Sequence, residues 1–404
     1  MGTPRLRAGD RVKHFRKTNG NRSQAAIAGL CGISERYLSL IENGKKTPSA
    51  DVLSRLAAEL GVPISALLSG DTSPEPAAAD TAAPDVARAL MGYGPPRSAT
   101  SAAPAELRER VEQAWRIWQS APDRFTKAAE VLPALIGDVE HAVRAHRRTA
   151  DVQARREVLR TAADLCGLLR SYCRRTGRLD LSLLVADRAI RAAEDADDPL
   201  RLAVAQWNLG HVLLSDDRQG AADEAKELAL NAIEEVRQET ASPELTALQG
   251  ALELVVVVAD ARQHRWWAAR DRLDRRAGPL SERSGEGNVG RTVFGPANIR
   301  LHAMSIEMLA GEAAEGLRVA DRLDTTRMPS SERRFTFGLE VARCYDLRRE
   351  DASVYVHLLG LEELAPEDLA RSPQGLALAA GLLKRVRPTY QRQVTDLAGR
   401  LGLV

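Results

Sequence analysis

"SQAAIAGLCGISERYLSLIENGKKTPS" (Ser23–Ser49) consists of two short apolar stripes separated by a single glycine. Ser23 is a favourable N-cap, and Ala26, Ile27 and Leu30 follow it at helical spacing. Gly32 then interrupts the pattern. A residue without a Cβ adopts the left-handed backbone that turns one helix steeply into the next. Ser34 caps a second segment whose apolar side is Tyr37, Leu38 and Ile41, and Asn43-Gly44 stops it. The opposite side of that segment carries Glu35, Arg36, Ser39 and Leu40. A helix of this length suits a DNA major groove, about 12 Å wide.

Three further helical patterns surround the pair. "DRVKHFRKT" (10–18) precedes it, with Val12 and Phe15 on one side and basic residues around them. "ADVLSRLAAEL" (50–60) follows Pro48-Ser49 and ends at Gly61; "PISALLS" (63–69) carries Pro63 at a tolerated early position. Charge is unevenly spread. Residues 1–70 hold eleven Lys/Arg against five Asp/Glu, a net +6, whereas the remainder carries −4. A basic head on a mildly acidic body fits polyanion binding by the head.

On these residues the stretch resembles the XRE or phage-repressor type of helix-turn-helix domain over roughly residues 6–69. "SQAAIAGLCGIS" matches the family's opening and turn glycine, and "YLSLIENGKKTPSADVLSRLAAELGVPISALL" its ending. The resemblance implies sequence-specific binding to double-stranded DNA, with Ser34–Asn43 as the recognition segment. Ser34, Glu35 and Arg36 then reach base edges, with Ser39 on the same outward face, and Leu40 reaches a thymine methyl. Glu35 either accepts from cytosine N4 or pairs with Arg36 or another basic side chain. By the same resemblance Gln24 braces a phosphate or the adjacent base contact, and Asn43, Lys45 and Lys46 hold the backbone, Asn43-Gly44 serving also as a helix cap. Arg11, Lys13 and Arg22 are candidates for further phosphate contacts. One such domain grips one half-site, so the rest of the chain is expected to form a homodimer.

Residues 70–104 change in composition. "SGDTSPEPAAADTAAPD" and "GYGPPRSATSAAPAE" are rich in Pro, Ala, Ser and Thr, and cannot bury enough apolar area to offset ordering entropy. The stretch reads as a flexible tether, with "VARALMGYG" able to form a weak amphipathic turn or two. From 105 to 404 the apolar residues recur at helical spacing, with Pro133 marking an expected kink. "AQWNLGHVLLSDDRQGAADEAKELALNAIEEV" (205–236) resembles a tetratricopeptide (TPR) repeat through Leu209-Gly210 and the small residues Ala222 and Ala229. Similar joints recur around Ser182, Ala269, Gly316 and Val354, at spacings longer than the usual 34 residues. "GPLSERSGEGNVGRT" (278–292) reads as a loop between units.

The resemblance implies a TPR-like α-solenoid with a concave wall lined by the first helix of each unit. On the motif's inward positions that wall includes Arg174, Trp207, His211, Asn298 and Arg343, and the stretch "RTVFGPANIRLHAMSIEMLAGE" (291–312) adds Arg291 and His302. Such groups suit a peptide or small-molecule effector: amides bind a backbone both ways, and arginines take a carboxylate. Each residue alone also fits a solvated or core position, His211 above all.

Several classes are disfavoured. No P-loop, nucleophile elbow or His-Glu-x-x-His motif occurs, and no residue set calls for a metal or cofactor, so an enzyme is not expected. Charges interrupt every early apolar run, which argues against a secretory leader, and "LELVVVV" (252–258) is too short to span a membrane. Four cysteines far apart fit a reducing cytoplasm. The expectation is therefore an all-α chain: a five-helix head, a tether and a TPR-like sensor and dimerisation domain, in the layout of the peptide-pheromone-sensing regulators. The alternative is a TPR scaffold that binds a partner protein, with incidental DNA binding.

Overall fold

Ser23 and Ser34 are both extended, and the Oγ of each accepts a backbone N–H three residues on, from Ala26 and Tyr37, at 3.1 Å. These two caps start the helices of the opening stretch. In the computed structural model the described residues are 8–18, 22–60, 62, 67, 83–92, 102–216, 218, 220–324, 328 and 330–404. They are mainly helical, with no strand among them, and the chain divides into two units, Met1–Ala78 and Ala79–Val404. No helix among them is long and apolar enough to cross a membrane.

The first unit holds α1 (Ala8–Thr18), α2 (Gln24–Leu30), α3 (Glu35–Glu42) and α4 (Ala50–Leu60). The expected fifth helix, 63–69, lies outside the described residues except for Leu67, which is fully buried. Gly32 has φ +61, and the Ile33 N–H donates to the Ala28 carbonyl at 2.9 Å, closing the turn between α2 and α3. Arg55 of α4 pins that turn by donating to the Cys31 carbonyl at 2.9 Å. Val12, Ile27, Ala28, Leu38, Ile41, Val52, Leu53 and Leu56 form the core. Gly9 permits α1 to touch α3: a Cβ there would sit 1.9 Å from the Ile41 carbonyl oxygen.

The second unit begins inside the stretch read as a tether. Residues Ala83–Leu90 form α5, whose Val86, Ala89 and Leu90 are buried against the following helices. The helices α6 (Pro104–Ser120), α7 (Arg124–His146), α8 (Val152–Arg175), α9 (Leu179–Asp195), α10 (Pro199–Leu213), α11 (Ala221–Gln238) and α12 (Pro243–Arg262) each pack on their neighbour in sequence. The helix α7 runs on through Pro133. After α12 come α13 (Trp266–Arg272), a π-helical turn Leu273–Ala277, and α14 (Gly278–Ser284). The expected loop 278–292 is thus helical in its first half, because Pro279 falls in the first turn of a helix, where its missing N–H costs nothing. The unit continues through α15 (Pro296–Ala310), α16 (Ala313–Ala320), α17 (Ser331–Leu347), α18 (Asp351–Leu364), α19 (Pro366–Arg371), α20 (Pro373–Arg385) and α21 (Gln391–Arg400).

Helix pairs α8/α9, α10/α11, α15/α16 and α17/α18 pack together, as a helical-repeat body requires. At the close-approach positions Ser182, Ala269, Gly316 and Val354 are buried. In α11 that place belongs to Ala221 and Ala225, with Ala222 half-buried, one residue off the expected register.

The body's first hairpin also meets its C-terminal third. Arg124, at the start of α7, donates from Nε to Asp368 Oδ2 of α19 at 2.9 Å and from Nη2 to Oδ1, and both side chains are buried. The Arg124 guanidinium stacks 4.2 Å from the Trp118 ring. Glu367 adds a bond from the Phe125 N–H at 2.7 Å. Removing one partner of a buried, hydrogen-bonded pair strands the other charge. Asp368→Ala should therefore lower the stability of the body by roughly 3–5 kcal/mol. Urea unfolding followed by circular dichroism tests this; a loss below about 1 kcal/mol, the size of an exposed pair, contradicts it.

Candidate nucleic-acid interface and candidate effector site

The helix α3 divides cleanly into two faces. Leu38, Ile41 and Glu42 are buried, and Glu35 and Arg36 are exposed in its first turn. The buried acid is the unusual member. Arg16 of α1 donates to it from Nε at 2.7 Å and from Nη2 at 2.8 Å, a bidentate pair in which the Glu42 side chain is 1% exposed. Gln24, the first residue of α2, donates from Nε2 to the same carboxylate at 2.7 Å. One buried carboxylate therefore fastens α1 and α2 onto α3. Burial would raise the Glu42 pKa, but the hydrogen bonds from Arg16 and Gln24 and the Arg16 charge outweigh it and hold the carboxyl below its usual range.

The other expected contact residues lie around the exposed face. Ser34 accepts from the Tyr37 N–H, which leaves its hydroxyl hydrogen to donate elsewhere. Ser39 and Leu40 are half-buried. Among the described residues neither Glu35 nor Arg36 has an ion-pair partner. Asn43 turns back on its own helix, donating to the Ser39 carbonyl at 2.8 Å. Lys45 and Lys46 are exposed, and the Lys46 ammonium lies 5.2 Å from the Tyr37 ring. Of the additional basic residues, Arg22 is engaged within the unit: it donates to the Glu59 carbonyl at 3.1 Å and to the Glu59 carboxylate at 2.5 Å. Sequence reasoning missed Arg16 and Glu42.

In the second unit, five of the seven expected groove residues come together. The Trp207 and His211 rings of α10 meet edge-on at 4.6 Å, with the Arg170 guanidinium of α8 5.5 Å from Trp207. Burial, then Arg170, Arg333, Arg174 and His302, push His211 well below the ordinary histidine range. His302 of α15 is pushed down to about 3 by burial and by Arg333, so both rings are neutral at pH 7. Arg174 donates to Ser215 at 3.4 Å and to Glu332 at 3.5 Å. Asn298, one turn before His302, is 5% exposed, and its Oδ1 is buried without a hydrogen-bond partner.

The other two expected groove residues lie apart. Arg291 binds Glu112 of α6 and stacks 5.8 Å from Trp115. Arg343 acts on Glu340, which accepts from Ser305 at 2.5 Å and is raised by burial to about 7. Arg170, Arg175, Glu332 and Arg333 were missed, although Arg170 and Arg174 stand four apart on one face of α8 and Glu332-Arg333 open α17.

Glu42 generates a prediction for the head. Its folded pKa lies below the ordinary 4.5, so its contribution is complete above that value and is lost as pH falls through the lowered one. Glu42→Gln should cost roughly 3–5 kcal/mol at pH 7 by leaving Arg16 buried and unpaired, and should flatten the acid limb of the stability curve. Urea unfolding across pH measures both; an acid limb unchanged in the variant contradicts the assignment.

Comparisons with known proteins bear on the head. The Helix-turn-helix family matches residues 12–67. Control protein C.MunI of Mycoplasma sp. is 35% identical over 69 residues, covering 17% of this chain and 93% of that protein. Two solved structures align with far more of the chain at low similarity. Bacillus thuringiensis PlcR in complex with the peptide PapR7 and DNA aligns with 88% of this chain and 99% of that one, at 10% identity and a TM-score of 0.30. The apo form of the competence regulator ComR from Streptococcus vestibularis covers 100% of both chains, at 13% identity and a TM-score of 0.29. Through the capped helices, the glycine turn and this family match, the chain belongs to the XRE-type helix-turn-helix family of DNA-binding transcription regulators.

Proposed function

We propose that the protein is a cytoplasmic, homodimeric, operator-binding regulator whose body receives an effector. The helix α3 enters the major groove, with Ser34, Glu35, Arg36 and Ser39 at base edges and Leu40 against a thymine methyl. Asn43, Lys45 and Lys46 hold the phosphate backbone, and Gln24 braces the contact through Glu42. The carrying observation is the placement of Glu35 and Arg36: both are exposed, without ion-pair partners among the described residues, at the start of a helix whose other face is locked into the core. Two heads in a dimer match two half-sites one helical turn apart.

The effector, a peptide or a small molecule, occupies the polar interior around Arg174, Trp207, His211 and His302. What supports this is chemical. The interior holds neutral imidazoles, an indole and an amide oxygen without a partner, together with guanidinium groups. The effector changes operator affinity only if it binds two states of the body unequally and those states set the separation of the heads.

Arg36→Ala should cost roughly 1–3 kcal/mol of affinity for the specific site and relax the preference at one base pair. Lys45→Ala or Lys46→Ala should weaken all sequences alike and reduce the salt slope by about 1. Fluorescence anisotropy on specific and scrambled duplexes separates the two patterns. An Arg36→Ala protein with unchanged affinity and preference contradicts the reading and favours a scaffold that binds a partner protein.

A further inference from the structure

Elements far apart in sequence converge on one carboxylate. Glu332, in the first turn of α17, accepts from Arg124 Nη1 of α7 at 3.3 Å, from Arg174 Nη2 of α8 at 3.5 Å, and from Arg175. Arg124 also grips Asp368, and Arg175 Nη1 lies 3.9 Å from the same acid. Arg170 and Arg333 act on the group as well, each within electrostatic reach of Glu332 and Arg175. Five guanidinium groups thus share two carboxylates. Glu340 offsets only part of this excess, because burial raises its carboxyl to about 7 and leaves it only partly ionised at neutral pH.

The cations are undersupplied with acceptors in a second way. The Nε atoms of Arg170, Arg174 and Arg175 are buried without hydrogen-bond partners, and Arg170 as a whole is 5% exposed. Desolvated donors and unbalanced charge are costly unless an acceptor supplies both hydrogen bonds and counter-charge. An oxyanion does both, with several lone pairs on adjacent oxygens. The site is also reachable: the side chains of Arg174, Arg175 and Glu332 are 25%, 22% and 23% exposed. Burial and the neighbouring arginines lower the Arg174 pKa to about 9, which still leaves it charged at pH 7.

We propose that Arg170, Arg174, Arg175 and Arg333 form an oxyanion site in which Glu332 occupies the place of an effector's carboxylate or phosphate group and yields to it. This rests on the reading of the body as the effector-receiving unit. The incoming group takes the donors of Arg174 and Arg175 that Glu332 holds, and Glu332 then lets go of Arg124. Arg124 then keeps Asp368 of α19 but loses its bond to α17, so occupancy of the site weakens the contact between the body's first hairpin and its C-terminal third. Binding of a charged group thereby becomes a change of packing.

The test uses the full-length protein at constant ionic strength set with chloride. Melting temperature and calorimetric binding are followed as inorganic phosphate is added in one arm and malonate in the other. Glu332→Gln keeps the shape of the side chain but removes the resident charge. It should melt below the wild type in chloride, recover with an added oxyanion, and bind that anion at least ten-fold more tightly than the wild type. Recovery with malonate alone assigns a carboxylate and recovery with phosphate alone assigns a phosphate; either supports the site. Arg174→Ala in the same background should abolish recovery. If Glu332→Gln does not fold, the single variant Arg174→Ala should lose the stabilisation that phosphate or malonate gives the wild type.

A Glu332→Gln protein that neither anion restores beyond chloride overturns the proposal, as does an Arg174→Ala protein that responds like the wild type. DNA affinity on the same samples separates this inference from the one beneath it. Anion recovery with unchanged DNA affinity supports the site and contradicts effector switching. No recovery overturns the site and leaves DNA binding by the head as it stands.

Discussion

The buried carboxylate of Glu42 is the constraint on which the exposed face of α3 depends. It ends α3, receives both Arg16 and Gln24, and so fixes α3 against two helices at once. With Leu38 and Ile41 turned into the core by the same register, Glu35 and Arg36 have only the outside to face. A neutral apolar residue at 42 would pack, but it would not select the one rotation of α3 that matches an arginine fork and an amide. The pair is better understood as a device for register than as a source of stability, since a buried ion pair returns little net energy over a well-packed apolar substitute.

The body shows the same economy on a larger scale. Its hairpins pack mostly with sequence neighbours, which is how helical repeats are built. Neighbour packing alone leaves the ends of such a stack independent of one another. Here Arg124 and Asp368, with Glu332 and Glu367, bring the first hairpin and the C-terminal third together. A stack joined in this way is held at both ends, and a ligand that loosens or tightens the joint is what could shift an equilibrium between arrangements of the body.

What the sequence makes legible is local. Ser23, Gly32, Ser34 and Asn43-Gly44 announce the helix-turn-helix because a cap or a turn is decided within a few residues. The joints of the body are nearly as plain, although α11 seats Ala221 and Ala225 where Ala222 was expected, since three adjacent small residues do not specify a register. Residues 83–90 look like tether because their surroundings are rich in Pro and Ala, yet Val86, Ala89 and Leu90 supply enough apolar surface to dock. Pro279 reads as a loop residue but begins a helix. The Arg16–Glu42 and Arg124–Asp368 pairs are illegible for a different reason: an acid at the end of an amphipathic stripe looks like solvated surface until its partner, 26 or 244 residues away, is known. The interior site was half legible for the same reason. Trp207, His211 and His302 stand out as rare residue types, whereas Arg170, Arg175 and Arg333 are lost among the many arginines of the chain.

The central claim is that the exposed turn of α3 touches base edges in the major groove. In vitro selection of bound duplexes from a random pool, followed by methylation interference at guanine N7, tests it most directly. N7 is a major-groove atom, so the account predicts an enriched sequence with two blocks of interference one helical turn apart. Recovery of duplexes with no shared sequence, or of a shared sequence insensitive to N7 methylation at every guanine, would contradict it.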